Sequence, residues 1–238
     1  MQIESDPRRG GTTPTGSINR LPVKLRPDLF PFSSSIENII FDFGGVICDL
    51  NPEITEKKCL ELGFRVGDPA APGESQKLVE DLERGSITDS AFRKNMRKLF
   101  DQPVTDQQID DAWNALLVDI PESRIQCLEQ VKKHYRLFLL SNTNEIHYRY
   151  YLQMFREKTG YHDFSPIFEK TYFSCRLKMI KPDPGIFRFV INDSKLDPAK
   201  TLFIDDTLKH VEGSCVAGLH GYRLRIDQGE QIMDLFGG

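Results

Sequence analysis

The sequence predicts an α/β protein, a doubly wound parallel sheet with a small helical lobe inserted after the first strand. Three observations carry that prediction. Beyond Pro121, short apolar runs alternate with amphipathic ones, the pattern of strands joined by crossover helices. Several apolar runs stop abruptly on polar residues, as in "IIFDFGG", "RLFLLSNTN" and "TLFIDD". From Pro52 to about Val118 the periodicity is helical instead, broken by the Gly/Pro-rich loop "GFRVGDPAAPGES".

Residues 1–35 are rich in Gly, Thr, Pro, Ser and Arg and lack the apolar core of a signal peptide. Most of that stretch is expected to be a flexible leader. Asn38–Asp42 reads as a fully buried strand, short, β-branched and aromatic, closed by Gly44 and Gly45. In the insertion, Thr88 can cap a helix with Phe92, Met96, Leu99 and Phe100 on one face. Thr105 can cap another carrying Ile109, Ala112, Trp113, Leu116 and Leu117, with Trp113 expected to pack rather than bind a ligand. Ile125, Leu128 and Val131 then line a helix, "RLFLLS" forms a strand, and a helix starts near Glu145. A short strand near Thr171–Ser174, a helix opened by the prolines of "KPDPGIFRFVIND", the strand "TLFIDD" and finally "GYRLRI" complete the series. The expected division is a leader at 1–35, a core domain from 36–51 and 119–238, and a helical insertion at 52–118.

A chain 39% hydrophobic and 28% charged suits one globular domain with a smaller lobe. A net charge of −4 gives no nucleic-acid footprint. The five cysteines are scattered and never form C-x-x-C, so small buried hydrophobes are expected rather than disulfides or zinc. No apolar run reaches the roughly 18–20 residues of a membrane span, and the cytoplasm is the default compartment.

Ligands of doubly wound sheets bind outside the carboxyl ends of the strands. The chain puts its unusual polar residues there: Asp42 after the first strand, Ser141 and Asn142 after the next, Lys181 in a later loop, and Asp205 and Asp206 after "TLFI". Singly, each has an ordinary explanation as a cap, turn or solvated charge. Together they form a chemistry. Clustered aspartates repel one another unless a cation sits among them, and oxygen ligands without His or Cys favour magnesium. Serine, asparagine, lysine and glycine N–H groups are donors suited to phosphate, and a carboxylate in that field is a reasonable nucleophile toward phosphorus.

The segments "FDFGGV", "SNTNEIH", "IKPDPGIF" and "FIDD", in that order, resemble the haloacid dehalogenase-like (HAD) superfamily in its magnesium phosphatase branch. The subgroup they resemble includes bacterial α-D-glucose-1-phosphate phosphatases. The resemblance covers Asn38 to the C-terminus and implies a Rossmann-like core with the insertion as a cap over the site. It implies Asp42 as nucleophile and magnesium ligand, with the Gly44 carbonyl, Asp205 and Asp206 as further metal ligands. Ser141 and Lys181 match the phosphate-binding residues of the family, and His147 belongs to the second motif as a site-facing or packing residue.

One position departs from the family pattern. The acid–base aspartate expected two residues after the nucleophile is Gly44, so general acid–base help worth about 10²–10⁴-fold is lost or moved. Substrates whose leaving group needs little protonation, a substitute acid at Asp49, or a vestigial site would each follow. His210 stands where the family often has an asparagine supporting the acidic loop. The expected function is a Mg²⁺-dependent phosphomonoesterase for a small phosphorylated metabolite, a sugar phosphate favoured, working through an aspartyl-phosphate on Asp42. The alternative is a non-catalytic binding or regulatory protein that kept the phosphate pocket. A metal-free dehalogenase fits poorly with the Asp205–Asp206 pair, and a phosphomutase fits poorly with Gly44.

Overall fold

The computed structural model of the chain describes residues 23–65 and 73–237. In chain order, β1 (Lys24–Leu25), β2 (Asn38–Phe41) and β3 (Asp49–Leu50) come first. Helices α1 (Pro52–Glu61), α2 (Glu74–Glu83), α3 (Asp89–Met96) and α4 (Asp106–Asn114) precede β4 (Leu117–Asp119). Then follow α5 (Glu122–Val131), β5 (Arg136–Ser141), α6 (Glu145–Thr159), β6 (Lys170–Phe173) and α7 (Ser174–Leu177). The chain closes with α8 (Pro184–Ser194), β7 (Thr201–Asp205), α9 (Leu208–Val216), β8 (His220–Arg223) and β9 (Phe236–Gly237).

The central sheet has the order β6-β5-β2-β7-β8, every neighbouring pair parallel. The chain winds outward from β2 through β5 to β6, then returns to the other side of β2 for β7 and β8. That reversal opens a crevice beyond the carboxyl ends of the central strands. Both faces are covered, so the strands read as continuous apolar runs rather than alternating ones. Ile39 and Phe41 of β2 join one core cluster with Leu139, Ile204, Leu128 and Phe155. Ile40 points to the other, with Leu140, Phe203, Ile186 and Val190. Each such side chain, fully buried, contributes about 1.5–3 kcal/mol relative to exposure.

The insertion has an apolar cluster of its own, built on Leu82, Phe92, Met96, Phe100 and Ile109, with Ile146 of α6 joining from the core domain. Both predicted caps form: the Thr88 side chain accepts from Ala91 N–H, and Thr105 makes a capping box with Gln108. Trp113 packs on Phe92 and stacks on His147. Both stripes end sooner than expected: α3 stops at Met96, leaving Leu99 in a 3-10 turn and Phe100 in extended backbone. Helix α4 stops at Asn114, and Leu117 lies instead in β4, antiparallel to β3. This pair, two and three residues long, sits where the chain leaves and re-enters the core domain, and pieces so short carry no readable period. Of the Gly/Pro-rich loop, residues 66–72 lie outside the described residues.

The expected leader needs correction at its C-terminal end. Residues 1–22 lie outside the described residues, but 23–35 are packed. β1 pairs with β9, Leu25 and Phe30 are buried, and Phe30 meets Tyr222 at 4.9 Å between ring centroids. The Pro- and Ser-rich composition around them masked three or four anchoring apolar residues. The cysteines are all free, as expected; Cys48, Cys59 and Cys175 are buried, but Cys127 is half-buried and Cys215 exposed. No helix among the described residues is long and apolar enough to cross a membrane.

Phe30→Ala should therefore cost about 3–5 kcal/mol in denaturant unfolding, as large core truncations do. A segment without a packing role would leave the midpoint unchanged.

Candidate active site

β2 is the middle strand, and its ladder continues one residue beyond it: Asp42 N–H donates to the Ile204 carbonyl at 2.9 Å. Asp42 is thereby fixed at the carboxyl end of the central strand, 8% exposed. Its Oδ1 accepts from the Phe43 amide at 2.7 Å and from Lys181 Nζ at 2.8 Å. Burial, and next the nearby Asp205 carboxylate, push the proton affinity of Asp42 well up; Lys181 opposes both.

Lys181 comes from the loop between α7 and α8, and its ammonium is fully buried. It donates to Asp42, to Asp205 Oδ2 at 2.6 Å and to the Leu140 carbonyl at 3.1 Å, which uses all three protons. Burial disfavours the ammonium, but the two carboxylates outweigh it and raise its pKa. The loop is held by Asn142, whose amide donates to the Lys181 carbonyl at 3.0 Å while its Oδ1 accepts from the Lys181 N–H at 2.9 Å. The side chain of Asn142 is thus committed to positioning the lysine.

Asp205 ends β7 with no exposed surface. Burial would raise its pKa, but Lys181 and His210 outweigh burial and keep it ionised. His210 Nδ1 lies 3.1 Å from both oxygens, the support expected of that position. Asp206 faces the crevice, part-buried, its proton affinity raised by burial and then by Asp205. The glycines fit around it. Gly45 has φ +73°, and a Cβ there would stand 2.5 Å from Asp206 Oδ2. At Gly44 a Cβ would meet the Leu50 side chain, its Cδ1 methyl at 2.8 Å. The requirement for glycine at position 45 is therefore set by the acidic pair as much as by any ligand.

These residues open onto a cavity of about 560 Å³, with Asp42, Gly44, Asn142, Lys181 and Asp206 from the core domain on its wall. The insertion supplies Glu80, Glu83 and Arg84 opposite them, and α9 adds Lys209. Burial pushes the Glu83 carboxyl up to about 7, against the pull of Lys181 and Lys209. Sequence reading missed Glu83, Arg84 and Lys209, because a charged residue at a helix end looks solvated until the fold shows what it faces. The donor set suits a hard divalent cation. Two carboxylates with raised proton affinity, Asp42 and Asp206, share a wall with Gly44, and a cation there would offset their repulsion. One oxygen of Asp42, one of Asp205 and a His210 nitrogen also lie within 4.8 Å of one another, although Lys181 and His210 already engage Asp205.

Other expected residues sit elsewhere. Ser141 is buried at the end of β5, its Oγ 3.4 Å from the Asn142 carbonyl. His147 is a packing residue: Nδ1 accepts from Asn144 at 3.1 Å and Nε2–H donates to the Trp113 carbonyl at 3.0 Å. Burial pushes its pKa down to about 4, so the neutral ring ties α6 to α4. Asp49 pairs with the buried Arg124 at 2.7 Å and lines a second cavity beside Gly45 and Asp206, not the one containing Asp42.

A profile of haloacid dehalogenase-like hydrolases matches residues 36–218. The chain is 31% identical to a D-ribitol-5-phosphate phosphatase of Bacteroides thetaiotaomicron over 72% of its own length and 83% of that protein. A crystal structure of a HAD family enzyme from the same organism superposes with a TM-score of 0.74 at 35% identity, covering 79% of this chain and 93% of that one. That enzyme's complex with magnesium and inorganic phosphate superposes at 0.70 and 34% identity over the same shares. The curated relative is thus a polyol-phosphate phosphatase.

The glycine geometry makes a comparative prediction. Gly45→Ala should cost about 1–2 kcal/mol or more in denaturant unfolding, since it adds left-handed strain to a clash with Asp206. Gly44→Ala should cost less, because the Leu50 side chain can turn aside. Equal losses would contradict this reading of the turn.

Proposed function

The chain belongs to the haloacid dehalogenase-like hydrolase family, and on that premise we propose that it is a magnesium-dependent phosphomonoesterase. Its substrate would be a small phosphorylated polyol or sugar. The observation that carries the proposal is the Asp42 carboxylate, fixed by Lys181 at the wall of a polar cavity that Asp206 shares. The phosphatase relative and the magnesium–phosphate complex of a similar enzyme support the same reading.

Asp42 would attack phosphorus with the carboxylate oxygen not held by Lys181 and release the alcohol, and water would then hydrolyse the aspartyl-phosphate. Lys181 would keep Asp42 oriented and offset charge on the phosphoryl oxygens. Asp42, Asp206 and the Gly44 carbonyl would hold the metal, with Asp205 behind them fixing Lys181 and His210. Bound magnesium supplies neutralisation of phosphoryl charge, so that one anion can approach another. The Gly44–Gly45 turn would bring backbone N–H groups close to the phosphate, with Ser141 at the neighbouring strand end. Helices α1–α4 would act as the cap, closing the cavity from the side of Glu80 and Arg84.

The leaving group is where the relative bears on substrate choice. A polyol 5-phosphate leaves as a primary alkoxide, a strong base that needs a proton. That weighs against a preference for aryl or anomeric phosphates alone. Asp49 is poorly placed to give that proton, held as it is by Arg124 beside the second cavity.

Purified protein should release phosphate from polyol and hexose phosphates only with Mg²⁺ present, and a chelator should abolish the release. Asp42→Asn should lose nearly all of it. Absence of Asp42-dependent release from every phosphate ester tried would instead favour a binding protein that kept the pocket.

A further inference from the structure

Gly44 cannot serve as an acid, and the space a side chain would take there is filled by Leu50. The other carboxylates near the cavity are mostly engaged. Glu80 pairs with Arg84 at 2.9 Å, and Asp183 caps α8 by accepting from Gly185 N–H at 2.8 Å. Glu83, the last residue of α2, lines the same cavity as Asp42 and Asp206.

Its backbone is docked to the core domain at two points. Ser174 Oγ, fully buried, donates to the Glu83 carbonyl at 2.6 Å and accepts from the Thr143 N–H at 2.9 Å, beside the end of β5. Two residues on, Gly85 has φ +65° and lies so close to the Cys175 carbonyl that a Cβ would collide with it, while Lys178 donates to the Gly85 carbonyl. This docking holds the helix end that carries Glu83 against the core domain, beside the cavity that Asp42 lines. From the geometry, and resting on the reading of Asp42 as nucleophile, we propose that Glu83 is the general acid–base residue missing at Gly44.

The proton balance closes. As an Asp42 oxygen bonds to phosphorus, the phosphorus–oxygen bond of the ester breaks and its electron pair stays on the leaving oxygen. That oxygen takes the Glu83 proton and departs as the alcohol. Water then attacks phosphorus and gives a proton to the Glu83 carboxylate, while the Asp42–phosphorus bond breaks and returns its pair to Asp42. Ester and water have become alcohol and phosphate, and Glu83 is protonated again.

The charges around Glu83 suit the task. Lys181 and Lys209 favour the carboxylate, Glu80 and burial favour the acid, and Arg84, Asp183 and His210 complete the wall. The outcome is a carboxyl pushed up to about 7, near the pH at which an acid–base group works best. Sign follows from role. The first step needs the protonated form, so turnover of alkyl phosphates should fall as pH rises through about 7.

The test compares wild type, Glu83→Gln and Asp42→Asn on ribitol 5-phosphate and on p-nitrophenyl phosphate. Glu83→Gln should lower kcat on the polyol phosphate by about 10²–10⁴-fold and remove the alkaline limb of the pH profile. On the aryl ester it should give a burst of p-nitrophenol near one equivalent per site and then slow turnover, since nitrophenolate leaves unaided but water lacks its base. Wild-type kinetics in Glu83→Gln, with Asp42→Asn inactive, would overturn the assignment of Glu83 and leave the phosphatase reading standing. Equal losses on both esters with the alkaline limb intact and no burst would mark a structural role, and overturn it too. Activity retained by Asp42→Asn would remove the nucleophile, and this inference with it.

Discussion

A buried ammonium between two buried carboxylates is the contact on which the site depends. Lys181 spends its three protons on Asp42, Asp205 and a strand carbonyl, and of the two carboxylates only Asp42 reaches the cavity. Removing one partner from such a set typically costs about 3–5 kcal/mol, because the remaining charge is left without compensation. The sheet topology follows from that constraint. β2 must lie beside β7 so that Asp42 and Asp205 converge, and the loop before α8 must cross the strand ends so that Lys181 reaches both. Asn142, from the end of β5 on the other side of β2, holds the main chain of that loop on both sides of the lysine.

The same triad separates two kinds of aspartate. Asp205 has Lys181 and His210 against it and stays charged without help. Asp42 and Asp206 are left with more negative charge than their surroundings balance. A divalent cation would supply the missing positive charge, so that an acidic cavity could take an anionic substrate. The insertion adds Glu83, whose carboxyl burial pushes up to about 7, to the wall facing Asp42 and Asp206.

Much of this was legible in the sequence. The sheet residues are buried on both faces, so β2, β5 and β7 read as continuous apolar runs, and each run stops on the residue that matters: Asp42, Ser141, Asp205. Lys181 was legible through the prolines beside it and its place in the motif order. His210 reads from sequence equally as a support for the acidic pair or as a helix-start spacer, and the structure joins it to Asp205. What escaped depends on contacts distant in sequence. Phe30 is anchored by Tyr222, nearly the whole chain away, and its local composition looks like a linker. Leu117 belongs to a strand of three residues, too short for any period. Asn142 looks like a phosphate donor until its partner is known to be the Lys181 main chain. Asp49 looked available as an acid until Arg124 was found beside it. Glu83 shows the limit most clearly: a glutamate before Arg-Gly at the end of a polar helix has no local mark of function, and only the fold places it on the wall of the cavity it shares with Asp42.

The most direct measurement is to trap the covalent intermediate. Turnover of a phosphate ester radiolabelled on phosphorus would be quenched in acid and the protein digested. The label should be found on the peptide containing Asp42, should be discharged by hydroxylamine as an acyl phosphate is, and should be absent from Asp42→Asn. Continued phosphate release from the wild type with label on any other residue would contradict Asp42 as the nucleophile.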